Sequence, residues 1–159
     1  MSSVISLRRA EDGTATDLCV LESPNDLSWM RGALLAHIAD ATAETPATAE
    51  DMIVVACELA TNALRHGRPP VYVRLIHTGR HLILDIADHD PHTAPAYAVN
   101  RPLGAGGLGL HLVHAFALDM GWYAGDTTKH VWAQFPGPGA GRGRIATPRP
   151  ADDTLPPRA

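Results

Sequence analysis

Lysine is almost absent from this sequence: one residue, Lys129, stands against twelve arginines. The formal net charge is −4. No basic stripe gathers the arginines, so direct nucleic-acid binding is not expected. Cysteine is nearly as scarce, with Cys19 and Cys57 alone. Two such residues make neither a disulfide framework nor a thiolate metal cluster. Both stand among apolar neighbours, which predicts two buried thiols. No apolar run is long enough to span a bilayer, and the first residues carry no signal-peptide pattern. A cytoplasmic protein with no membrane association is the expectation.

What is present is a chain of 159 residues that is 45% hydrophobic, enough for one globular domain with a real core. The expected domain covers residues 1–136. The remainder, 137–159, is rich in Pro, Gly and Arg and nearly devoid of apolar side chains, so it reads as a disordered tail. The first few residues also read as loose.

Within the domain, "DLCVLE" (17–22) reads as a strand. Ser23, Pro24 and Asp26 then resemble a capping box with Pro at the first helical position. Leu27, Met30, Leu34, His37, Ile38 and Ala41 follow at helical spacing. A second helix start falls at Thr48 with Asp51, its stripe at Met52, Ala56, Leu59 and Ala63, its C-cap at Gly67 before Pro69. "VYVRLIH", "TGR" and "HLILDIAD" predict a β-hairpin. Residues 89–106 read as a long loop, "GLGLHLVHAFALDM" as a helix entered through glycines, and "GWYAG" with "KHVWAQF" as a closing hairpin.

Three stretches carry polar groups where packing does not require them. In "ACELATNALRHG", Glu58 and Asn62 are four apart. They share one helix face, beside the apolar stripe, where a polar pair can border a cleft. In "HLILDIAD", Leu82, Leu84 and Ile86 alternate onto one face and Asp88 continues their row. A carboxylate on the core side needs a hydrogen-bonding partner, unless it only closes the strand-end turn. Asp85 falls on the opposite face, where a carboxylate is unremarkable. In "GAGGLGLHLV" glycines lead into a helix start, which offers unpaired N–H groups to an anion. It is neither a Walker A loop nor a Rossmann fingerprint.

In this order the three stretches resemble the GHKL (histidine kinase-like) ATPases, and within them the small anti-sigma-factor serine/threonine kinases. Actinobacterial relatives share an "E-L-x-T-N-A-x-R-H-G" helix, which stands here as "ELATNALRHG". The arginine-rich, lysine-poor composition also suits such a GC-rich genome. The resemblance covers roughly residues 15–135 and includes the last strand "KHVWAQF". It implies an α/β two-layer sandwich of Bergerat type, a mostly antiparallel sheet with helices on one face, and ATP with Mg2+ as ligands. It implies Asn62 as the Mg2+ ligand, Glu58 as general base, and Arg65 as a cation near phosphate. Asp88 would accept the adenine amine, and Gly107, Leu108 and Gly109 would form the lid and helix start over the phosphates. His66 and Gly67 belong to the motif with no chemistry assigned.

One departure stands out. The family's Asp-x-Gly-x-Gly box reads "DHDPH" here, with Asp90 and His92 in place of the glycines. Two function classes follow. One is a kinase that phosphorylates an anti-sigma antagonist and sequesters a sigma factor, acting as a homodimer. The other is a non-catalytic module that binds a sigma factor or antagonist, with nucleotide as a structural or switching ligand. Arg101 in the loop is either a γ-phosphate contact or a solvated residue. A weaker third idea is a metal site among the histidines, from His111 with His114 or His89 with His92.

Overall fold

In the computed structural model, residues 5–41, 46–95 and 108–137 are described. The alternating segments pair as the pattern predicts. Strands β2 (Val71–His77) and β3 (His81–Asp88) are antiparallel, with Val73 opposite Ile86 and Leu75 opposite Leu84. Gly79 turns between them at φ 86°, a conformation open mainly to glycine. Strand β1 (Thr14–Leu21) lies beside β2 and begins three residues earlier than expected. Strands β4 (Asp119–Ala124) and β5 (Lys129–Pro136) complete a sheet of order β1-β2-β3-β5-β4. Each neighbouring pair is antiparallel.

Helices α1 (Leu27–Ala41), α2 (Pro46–His66) and α3 (Leu108–Phe116) cover one face of this sheet. Met30, Leu34 and Ile38 of α1, Met52 and Leu59 of α2 and Val113 of α3 pack with Leu21, Val73, Leu84 and Phe135 in one cluster. Burying each large apolar side chain contributes about 1.5–3 kcal/mol. A handful of them outweighs the few tenths by which helix propensities differ between ordinary residues, so burial holds the helix layer. The two-layer α/β sandwich is the fold expected from the sequence.

Several elements depart in detail. The α2 helix starts at Pro46, two residues ahead of Thr48. The expected helix through Met120 stops at Phe116. Leu118 N–H bonds the Gln134 carbonyl at 2.8 Å, and Asp119 and Met120 then pair with β5. A free strand of β5 thus outcompetes another helical turn. His37 is exposed rather than part of the core stripe, and its Nδ1 donates to the Ala33 carbonyl at 3.1 Å. Cys19 is buried, and burial together with the nearby charge of Asp26 pushes its thiol up to about 11. Cys57 is only half-buried.

The N-terminal segment is tied down from Ile5 onward. Ile5 sits in the core, and Trp122 exchanges backbone hydrogen bonds with Ser6 and Arg8 at 3.1 and 2.9 Å. The strand edge at β4 is thereby covered. Of the expected tail, 137–159, only Gly137 is described, its N–H donating to Arg80 O at 2.8 Å, and residues 138–159 lie outside the described residues.

The sheet's other face corrects the expectation for Asp85. Its side chain is 0% exposed. Arg74 donates to its Oδ2 through Nε at 3.0 Å and Nη2 at 2.7 Å, and His130 Nδ1 reaches the same oxygen at 3.0 Å. A small apolar group of Ile76, Ile83 and Trp132, flanked by Ala10 and Tyr123, closes this face. Burial pulls the Arg74 guanidinium down, but the bond and charge of Asp85 outweigh it and hold it above its ordinary value. Arg74→Met should lower stability by about 1.5–3 kcal/mol. The lower end is expected because the Arg74 side chain is 30% exposed. Urea unfolding measures it; a loss no larger than that of a surface substitution would mean the His130 hydrogen bond alone satisfies the carboxylate.

Candidate functional site

Helix α2 buries Met52, Ala56, Leu59 and Ala63, the stripe read from the sequence. Glu58 and Asn62 are half-buried beside it. Arg65 and His66 are exposed in its last turn. At 1.5 Å per residue, Asn62 lies about 7 Å and Glu58 about 13 Å back along the axis from Gly67. Gly67 is where the helix meets the sheet.

Asp88 ends the row of Leu82, Leu84 and Ile86 and is 2% exposed. A Cβ on Gly67 would stand 2.3 Å from Asp88 Cγ and 2.4 Å from its Oδ2. The glycine therefore serves close approach. It is not a left-handed C-cap, since Gly67 does not have positive φ and its N–H simply continues the helical ladder to Ala63 O at 2.9 Å. Two further bonds hold the strand end to the segment after the helix. His89 N–H donates to Arg68 O at 2.8 Å, and His89 Nδ1 donates to Pro70 O at 2.7 Å.

The carboxylate of Asp88 is partnered on both oxygens. Its Oδ1 accepts the Asp90 N–H at 2.8 Å. Its Oδ2 lies 3.4 Å from the ammonium of Lys129, which is 3% exposed. Lys129 also donates to Thr93 O at 2.8 Å. The segment that departs from the glycine box is thus a braced turn. Asp90 Oδ1 accepts the His92 N–H at 3.2 Å. The hydrogen bond from Thr93, with help from His92 and the charge of Lys129, holds the Asp90 carboxyl below its ordinary value. Lys129 escaped the sequence reading, although a signal was there. Alternation along "KHVWAQF" puts it on the row of Val131, Ala133 and Phe135, all buried in the core.

The remaining expectations fall unevenly. Leu108 and Gly109 open α3, as read. Gly107 and Arg101 lie outside the described residues, as do the side chains of Leu108 and His111. His89 is turned into the Pro70 carbonyl and packs edge-on to Tyr72 at 5.1 Å. Among the described residues no group of three or more His, Cys, Asp or Glu is placed to hold a metal ion, and no helix is long and apolar enough to cross a membrane. The fold therefore brings the end of the helix bearing Glu58 and Asn62 against Asp88, whose carboxylate in turn meets Asp90 and Lys129.

Gly67→Ala should displace Asp88 or the helix end, at a cost of about 1–3 kcal/mol as in other overpacked sites. Denaturant unfolding reads that loss; an unchanged midpoint would mean the junction relaxes freely. A comparison with curated proteins found no match. Residues 21–135 match the family model of the histidine kinase-like ATPase domain. That range runs from the last residue of β1 into β5, with Glu58, Asn62, Gly67, Asp88 and Lys129 inside it, and the chain belongs to the histidine kinase-like ATPase domain family.

Proposed function

We propose that the chain binds ATP with Mg2+ between α2, the end of β3 and the start of α3, and transfers the γ-phosphoryl group to a serine or threonine hydroxyl of a partner protein. The observation that carries this reading is the buried Asp88 carboxylate packed against a helix end that only a glycine fits. A carboxylate in the core whose described partners leave acceptor positions suits an exocyclic amine. The donor set suits a hard cation, because Asn62 offers an amide oxygen on the same helix face as Glu58. When bound, Mg2+ would offset charge on the triphosphate.

In this reading Asn62 holds the metal and Glu58 orients and deprotonates the attacking hydroxyl. The hydroxyl oxygen bonds phosphorus, the bond to the ADP oxygen breaks, and the proton passes to the Glu58 carboxylate. Arg65, exposed in the last turn of α2, would approach phosphate, and the chain at Gly107, Leu108 and Gly109 would close over it. The partner would be an anti-sigma antagonist, with a sigma factor sequestered by a homodimer of this chain. A second reading has support in Asp90 and His92, which replace the glycines of the box. There the domain binds its partner without transfer, and nucleotide is a switching ligand.

Calorimetric titration with ATP, with and without Mg2+, tests the pocket, and radiolabel transfer to candidate antagonists separates the readings. Asn62→Ala should remove the Mg2+-dependent part of binding; equal affinity with the wild type would end its role as ligand. Glu58→Ala should bind ATP normally and lower transfer by about a hundredfold or more, the usual scale for a general base. Transfer that persists at the wild-type rate would place the base elsewhere.

A further inference from the structure

Lys129 is the only lysine in the chain, and it is 3% exposed. A buried ion pair is often no more stable than apolar side chains of similar volume, because desolvating two charges offsets their attraction. Stability is thus a weak reason for an ammonium in this place. The geometry supplies a stronger one.

Lys129 Nζ stands 3.4 Å from Asp88 Oδ2 and donates to Thr93 O at 2.8 Å. Among the described residues those contacts use two of the three ammonium donors and leave one. Asp88 receives the Asp90 N–H at Oδ1 and Lys129 at Oδ2. A carboxylate has about four acceptor positions, so about two remain among the described residues. The two residues face each other across the β3–β5 ladder. An acceptor and a cationic donor therefore stand side by side at one point. An amino-substituted heterocycle carries the complementary pair on adjacent atoms: an exocyclic N–H beside an unprotonated ring nitrogen. In adenine these are the 6-amino group and N1.

Resting on the nucleotide reading above, we propose that Lys129 is a second nucleobase-binding residue, donating to adenine N1 while Asp88 accepts from the 6-amino group. A lone carboxylate accepts any N–H. With the lysine beside it, the site also demands an acceptor on the neighbouring atom. Lys129 also offsets the paired negative charge of Asp88 and Asp90, which would otherwise repel a nucleotide's phosphates.

The single lysine makes the test direct, since lysine labelled with 13C at Cε gives one resonance from the full chain. That signal is followed while ATP–Mg2+ is added, and again with the 1-deaza analogue, in which N1 is a C–H. ATP should shift the resonance saturably. The analogue should bind about tenfold or more weakly, the loss expected for one hydrogen bond to a charged group. Lys129→Met should bind ATP and the analogue alike. ATP binding by calorimetry with an unmoved lysine signal would overturn the proposal, and so would equal affinity of the wild type for the two nucleotides. No ATP binding at all would instead remove the nucleotide reading, and this proposal with it. Should Lys129→Met fail to fold, the wild-type signal and the affinity ratio decide the matter.

Discussion

A carboxylate inside a protein must be neutralised or hydrogen-bonded, because its hydration is lost on burial. Strand β3 carries two such groups into the interior, Asp85 on one face and Asp88 on the other. Both are answered from β5. His130 reaches Asp85, and the adjacent Lys129 reaches Asp88, since neighbouring residues of a strand point to opposite faces. The β3–β5 pairing thus satisfies both charges at once. A one-residue slip of that register would turn Lys129 away from the face of Asp88.

The two carboxylates differ in what surrounds them. Asp85 is saturated by a guanidinium and an imidazole, with the His130 ring stacked on Tyr123 at 4.6 Å. Thr128 bonds the far nitrogen of that ring at 2.9 Å. This side is a closed structural network. Asp88 meets one ammonium and one backbone N–H, and it sits at a helix end where the side chain of the neighbour has been deleted. The acceptor capacity that its described partners leave, at a junction of helix, strand and turn, suits the ligand site proposed for it.

The replaced glycines acquire a physical meaning in this setting. Asp90 and His92 build a turn closed by its own side chain, and Lys129 ties that turn to β5 through Thr93. The negative charge at Asp90 is favoured by the positive charge at Lys129. The altered box and the lone lysine form one compensated arrangement.

Much of the fold was legible because periodicity is a local property. The alternation in Val71–His77 and His81–Asp88, and the apolar stripe of α2, each report their element without knowledge of any partner. The row ending in Asp88 followed from the same alternation. Other features depend on which segments become neighbours. The run from Ala117 to Met120 is compatible with helix or strand, and β5 decided it by offering unpaired backbone groups. Asp85 read as a surface residue because nothing local announces that Arg74, His130 and the N-terminal segment cover the outer face. Gly67 looked like a helix cap, whereas the carboxylate packed against it comes from a strand twenty-one residues on. By itself, then, the sequence determined the elements, the family motif and the candidate carboxylate, all written in short-range patterns. Only the tertiary structure decided how each buried charge is neutralised, because a counter-charge is a matter of proximity in space.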